Sequence, residues 1–313
     1  MKTVNDLVIP KNGTCFPFFS GKGGVGKTTM ASATAVWLAD QGYNTLVVST
    51  DLQKSLNDIF QQVIDSTPTS ISGVPNLKAI SIETAESITR HRSKMIRMLE
   101  AVEGPDSPLV RQITADTQTD CGCAQAAVFE LVQYLNSREY DAVVFDTAPT
   151  GQTLEKIMNQ STYILWLTSQ IEAKAKLIKL YGGQAALDEQ IEALKEMKRE
   201  EEMAVESLRG EMTSFIMVMI PEAMPLMELA RNIPALEEDY RVPVRGVVIN
   251  NVIPAAERET SDFWRSRWMM QRKYIGLAYE EFAGRVIAQV PLLETEVLGV
   301  ERLRRIGQAL YKH

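Results

Sequence analysis

The sequence predicts an α/β fold built on a mainly parallel sheet with helices on both faces. Three observations carry this expectation. Short apolar runs alternate with segments of helical spacing along the chain, the pattern of strands joined by crossover helices. The run CFPFF breaks into glycines, SGKGGVGKTT, and continues into MASATAVWLADQG, so a strand, a phosphate-binding loop and a helix follow in that order. Further on, YDAVVFD ends an apolar strand in a carboxylate, Asp146. A phosphate loop with a downstream strand-end aspartate reads as a P-loop NTPase, with a helical subdomain added.

The pattern G-x-x-x-x-G-K-[ST] is met by Gly21, Gly26, Lys27 and Thr28. Glycines let the backbone curl so that successive N–H groups face phosphate oxygens, and the following helix turns its positive end toward the same anion. Gly21, Lys22, Gly23, Gly24, Val25, Gly26, Lys27, Thr28 and Thr29 are therefore the candidate nucleotide-binding residues. Lys27 supplies a point charge to the β and γ phosphates, and Thr28 a hydroxyl to Mg²⁺. A glycine turn that only joins strand to helix would not need the complete motif in this context.

Each element has a local reason. Residues 1–13 read as a polar lead-in closed by Pro10 and Gly13. The first helix runs over 27–41 and ends at Gly42 in the position after the cap. NTLVVSTD gives a second buried strand over 45–50 that delivers Asp51 to the carboxyl edge of the sheet, where ligands of open α/β sheets bind. A Ser, Thr and Pro-rich loop leads to a strand, LKAISIE, ending near Ile82. Over 84–102 the stripe Ile88, Met95, Leu99 and Val102 predicts a helix, with His91 on its charged surface. DCGCAQAAVFELVQYL predicts another. Residues 142–145 form the strand before Asp146, and 147–153 a loop able to sense the γ-phosphate. YILWLT, residues 163–168, reads as a strand, and 172–209 as charged helix broken at Gly182 and Gly183. SFIMVMIPE, VRGVVINNVIP and VIAQVPLL add three strands. We expect one domain over 1–313 with helical subdomain elements at about 84–136 and 172–210. There is one phosphate loop and no internal repeat, so a site shared between two loops requires two copies of the chain.

A net charge of -7 over 313 residues opposes a nucleic-acid or anionic-membrane surface as the main partner. No apolar run reaches the roughly 18 residues that span a bilayer, and MKTVNDLVIPKNG lacks the apolar core of a secretory signal. Three cysteines make no disulfide framework. The expectation is a cytoplasmic protein that visits the membrane transiently.

Lys22 directly follows the first glycine of the loop, which an ordinary phosphate loop does not require. The run from Lys22 to Thr28 resembles the deviant Walker A pattern KGGxGK[ST], whose extra lysine reaches the nucleotide of a facing subunit. The alternative is a solvated surface lysine. GKGGVGKTT, STDLQKSLNDIF, VVFDTAPTGQTLEKI, IPE at 220–222 and PLLETEVLGVERL together resemble the family of the arsenical pump-driving ATPase and of the ATPase that guides tail-anchored membrane proteins. That resemblance covers nearly the whole chain. It implies a homodimeric ATPase with ATP and Mg²⁺ as cofactors; the acidic net charge separately argues for no nucleic-acid partner. It makes Asp51 the catalytic carboxylate that orients water, with Lys22 and Lys27 acting on the phosphates. Asp146 joins Thr28 near Mg²⁺, Asn250 reads the adenine edge with Pro291 and Leu292 beside the base, and Glu222 contacts the dimer interface or the nucleotide.

Departures from the family divide its functions. Ser261 and Trp264 stand where the targeting branch carries its zinc-binding thiols, and Gln152 replaces the histidine after FDTAPTG. Cys121 falls where the arsenical branch has a cysteine, but a further cysteine of that branch, beyond FDTAPTG, has no counterpart. Cys121 and Cys123 admit two readings: small apolar residues near a helix start, or soft ligands that in a symmetric dimer present four thiolates to As(III), Sb(III) or Zn²⁺. Cys15 reads as core. The favoured function is energising arsenite or antimonite efflux with a membrane carrier; the alternative is an ATP-driven targeting chaperone for a tail-anchored or other membrane-protein client.

Overall fold

The computed structural model describes residues 3–50, 55–82, 131–147, 160–181 and 185–311, with isolated positions between 89 and 111. Asp51, His91, Cys121, Cys123, Gln152 and the stripe Ile88, Met95, Leu99 and Val102 lie outside the described residues. The chain divides into two compact units, one of Met1–Ile82, Ser137–Gln152 and Arg209–His313, the other of Glu83–Asn136 and Thr153–Leu208.

The first unit holds one sheet. Its strands are β1 (Phe16–Ser20), β2 (Thr45–Ser49), β3 (Thr69–Ser70), β4 (Leu77–Ser81), β5 (Ala142–Asp146), β6 (Thr213–Met219), β7 (Val244–Val252) and β8 (Val286–Pro291). Their spatial order is β3, β4, β2, β5, β1, β6, β7, β8, and every pairing is parallel except β3 with β4. Strands β1, β2, β5 and β6 are buried along their whole length, as the unbroken apolar runs require of a sheet covered on both faces. Phe18 lies between Phe145 and Phe215 with ring centroids 4.2 and 4.5 Å away. These rings form a ladder across three adjacent strands at close to the interstrand spacing.

The helices of this unit are α1 (Asn5–Val8), α2 (Lys27–Asp40) and α3 (Ser55–Phe60) before the second unit's insertions. The lead-in is therefore not simply polar: Val8 is fully buried and its carbonyl accepts a hydrogen bond from the Cys15 thiol at 3.0 Å. Burial pushes the Cys15 thiol up to about 12, which fits a core residue and not a reactive one. Helix α2 ends at Gln41, and Gly42 follows with φ 94, the left-handed residue that stops the helix.

In the second unit α4 (Gln160–Tyr181) and α5 (Ala185–Arg209) are joined by Lys174 donating to Gln190 at 2.9 Å. The strand expected over 163–168 is overturned, because those residues lie inside α4. The cause is visible in the burial. A strand would place 165 and 167 on one face, yet Leu165 is 69% exposed while Leu167 is fully buried. Leu167 packs with Leu194 and Met197, and Ile171, four residues on, packs against the same cluster at helical spacing. Thr89, Ser93, Ile96, Arg97 and Glu100, the described positions of 84–102, are all helical.

The charged face of α5 carries the exposed pair Lys195 with Glu192 and the half-buried Lys198 with exposed Glu202. Glu201 breaks that pattern. It is buried, its Oε2 has no hydrogen-bond partner among the described residues, and desolvation reinforced by Glu200 pushes its carboxyl up to about 7. The native carboxyl thus keeps its proton to near pH 7, whereas the unfolded one releases it near 4.5. Between those values the native state binds more protons, so stability falls as pH rises. Glu201→Gln should leave stability at pH 4.5 nearly unchanged and raise it at pH 8 by up to about 3 kcal/mol, read from urea unfolding. An equal pH dependence in both proteins would contradict this.

Candidate functional site

The loop from β1 into α2 is held open by its glycines and closed by its neighbours. Gly21 has φ 147 and lies against the Val218 carbonyl of β6, so a Cβ there would strike backbone. Gly24 has φ 78 with open space where a Cβ would stand. Gly26 caps α2 in the left-handed region, φ 97, and a Cβ there would strike the Asn250 side-chain amide. Asn250 Nδ2 donates to the Val25 carbonyl at 2.9 Å, and both residues are buried. The first helical bond of α2 is Met30 N–H to the Gly26 carbonyl. The N–H groups of the first turn therefore face the loop at the positive end of the helix.

Lys27 is buried, and its Nζ donates to the Lys22 carbonyl at 3.1 Å. A cation placed among inward-facing N–H groups makes a strong anion site, and incoming phosphate oxygens can take over the place of that carbonyl. Lys22, Thr28 and Thr29 are half-buried, Gly23 and Gly24 exposed.

Asp146 closes β5 and is buried. Register puts it beside Phe19 of β1 and Ser49 of β2, where the Ser49 hydroxyl donates to its Oδ2 at 3.4 Å. Thr50 N–H donates to the Asp146 carbonyl, and Thr147 donates through both N–H and Oγ1 to the Phe19 carbonyl. The carboxyl ends of β1, β2 and β5 are thus stitched together at the entrance of the phosphate loop. Oxygen donors of this kind, the Asp146 carboxylate and the Thr28 hydroxyl, suit Mg²⁺. Ser49 and Thr147 were not singled out from sequence; the hydroxyls flanking two strand-end aspartates in STD and FDT were the available signal.

On the other side of β1, Pro291 ends β8 opposite Val252, and Leu292 N–H donates to the Val252 carbonyl at 2.9 Å. Asn250, Pro291 and Leu292 therefore gather at the ends of β7 and β8. Helices α6 (Ala223–Glu238), α7 (Asp262–Glu281) and α8 (Val300–Tyr311) complete this unit. Glu222 stands at the N-terminal boundary of α6 without a side-chain cap bond and pairs instead with Arg267 of α7 at 3.0 Å. Ser261 caps α7 through its Oγ, which accepts from Trp264 N–H, so the position compared with a zinc thiol serves as a helix cap. Among the described residues no cluster of His, Cys, Asp and Glu could hold a metal ion, and no helix is long and apolar enough to cross a membrane.

A phosphate loop between the central strand and α2, with a buried aspartate ending the neighbouring parallel strand, defines an α/β protein of the P-loop NTPase class. The chain belongs to the ArsA_ATPase family, described as Anion-transporting ATPase, which matches residues 14–312. A Halobacterium salinarum protein provisionally named as an arsenical pump-driving ATPase is 34% identical over 95% of the chain. The chain covers 44% of that relative's own length. An Aquifex aeolicus protein, provisionally named arsenical pump-driving ATPase 2, is 30% identical over 94% of the chain and 98% of its own. ATPase GET3A of Arabidopsis thaliana is 31% identical over 92% of the chain and 81% of its own.

The geometry separates two glycines. Gly21→Ala should fold yet lose ATP binding altogether in an equilibrium titration, since the new Cβ displaces the loop from β6. Gly24→Ala should weaken binding only about 5- to 30-fold, the cost of left-handed strain of about 1–2 kcal/mol. Equal effects would contradict the loop geometry.

Proposed function

We propose that the chain is a Mg²⁺-dependent ATPase that works as a homodimer. The observation behind this reading is the cradle formed by the left-handed Gly24 and Gly26, the start of α2 and buried Lys27, with Asp146 one strand away. Thr28 and Asp146 are the residues that would hold Mg²⁺, which neutralises charge on the β and γ phosphates when bound. Lys27 binds the phosphates from within the chain. Lys22 does so across the interface of two copies, as the resemblance implies. Asp51 orients the attacking water, and the loop after Asp146 responds to the γ-phosphate. The Mg²⁺ side lies toward β5 and β2, so the base extends the opposite way, toward β7 and β8. There Asn250 keeps its amide oxygen and second N–H for an adenine edge while its first N–H holds Val25.

The task we propose for this hydrolysis is energising arsenite or antimonite efflux with a membrane carrier. Two relatives with arsenical names and the cysteine pair Cys121 and Cys123 support it. The relatives named GET3 support a second reading, a targeting ATPase with a membrane-protein client. Ser261 speaks against a zinc-clamped version of that reading, because its side chain is a helix cap. In either case the protein would act in the cytoplasm and meet the membrane through its partner.

Arsenite added to the purified protein should raise ATP turnover, and Cys121→Ser with Cys123→Ser should abolish that rise while sparing basal hydrolysis. Stimulation that survives in the double variant, or wild type indifferent to both arsenite and antimonite, would move the function to client targeting.

A further inference from the structure

We infer that Gln271 of α7 is a positioning residue for nucleotide-base recognition, holding the β7 edge that carries Asn250. The inference rests on the reading that ATP occupies the site described above. Gln271 is buried, and both ends of its amide are committed to the same short stretch. Its Nε2 donates to the Asn251 carbonyl at 2.9 Å, and its Oε1 accepts from Ile253 N–H at 2.9 Å. That stretch is irregular. Asn251 is left-handed, φ 56, and the β7–β8 ladder shifts register between Ile249 and Val252.

A register shift leaves main-chain groups without ladder partners, and unpaired buried groups are costly, so a strand end of this shape persists only if something else satisfies them. Gln271 supplies one donor and one acceptor at the spacing the bulge needs. Inside the shifted stretch, the Asn250 amide holds Val25 and fills the space a Cβ on Gly26 would need. Where pairing resumes, the Val252 carbonyl accepts Leu292 N–H and places Leu292 beside Pro291. A single buried side chain thus fixes, through the main chain of 251–253, all three positions gathered on the base side of the loop. Hydrogen-bond recognition of a base depends on sub-ångström placement of the reading amide, whereas phosphate binding by Lys27 and the α2 terminus does not pass through this edge. Loss of Gln271 therefore acts on which base is preferred and on affinity, not on the turnover of bound nucleotide.

The test compares wild type, Gln271→Met and Gln271→Glu in equilibrium binding of fluorescent ATP and GTP analogues and in steady-state hydrolysis. Methionine keeps the volume and removes both bonds; glutamate keeps the acceptor for Ile253 and removes the donor to Asn251. Wild type should prefer ATP. Gln271→Met should lose about tenfold in ATP affinity, the scale of one to two net hydrogen bonds, with GTP affinity unchanged. Its KM for ATP should rise in step while kcat stays within about threefold. Gln271→Glu sets a carboxylate oxygen against the Asn251 carbonyl, so it should lose at least as much ATP affinity as Gln271→Met, and it carries the same test if the methionine variant does not fold. A lowered melting temperature with the ATP to GTP ratio of wild type in both variants would overturn the inference and leave Gln271 a structural residue. Wild type that binds neither nucleotide would instead overturn the site assignment beneath it.

Discussion

The site depends on the register of three strands. In a parallel sheet a slip of one residue moves a strand end by about 3.3 Å and turns every side chain to the other face. Here β5, β1 and β6 are locked by Phe145, Phe18 and Phe215, which occupy one register line and stack at 4.2 and 4.5 Å. One position further along, the same line brings Phe19 beside Asp146. The β1 main chain then enters the loop against Val218 of β6. Apolar packing in the middle of the sheet therefore fixes where a carboxylate and a phosphate loop meet at its edge.

From that edge the chemistry separates into two sides. Toward β5 and β2 the strand ends carry hydroxyls and a carboxylate, with Ser49, Thr50 and Thr147 tying main chain and Asp146 together. Toward β7 and β8 they carry amides, with Asn250 clasping the loop at Val25. Glycine at 26 is required between them, since it must be left-handed and leave room for Asn250 at once. Behind the loop, α8 packs on α2. Tyr311 stacks on Trp37, and its hydroxyl lies 2.6 Å from the Thr34 hydroxyl. The helix whose positive end faces the loop is thereby anchored along its length.

Much of this was legible in the sequence, and the reasons differ by element. The loop could be read because its glycines answer to backbone geometry, which leaves a strict spacing. The buried strands could be read because a sheet covered on both faces demands short, continuous apolar runs. The same rule misled at 163–168: a six-residue apolar run does not distinguish a strand from a stretch of helix, and only the buried spacing of Leu167 and Ile171 shows which period applies. The buried Val8 in the lead-in was hidden because a four-residue helix has too few positions to show a period. Gln271 was invisible for a different reason. Its role follows from a bulge in another strand, and nothing local to α7 marks it apart from the polar residues around it.

We propose that ATP and Mg²⁺ occupy the cradle between β1 and α2 and extend toward β7. Amide hydrogen exchange of the unmodified protein, followed with and without Mg²⁺ and ATP, addresses it most directly. We predict slowing of at least about tenfold in peptides covering 21–29, with a smaller slowing over 247–253, because bound phosphates engage the loop N–H groups and the base orders the β7 edge. Protection confined to other regions, with 21–29 exchanging at the nucleotide-free rate, would contradict the account.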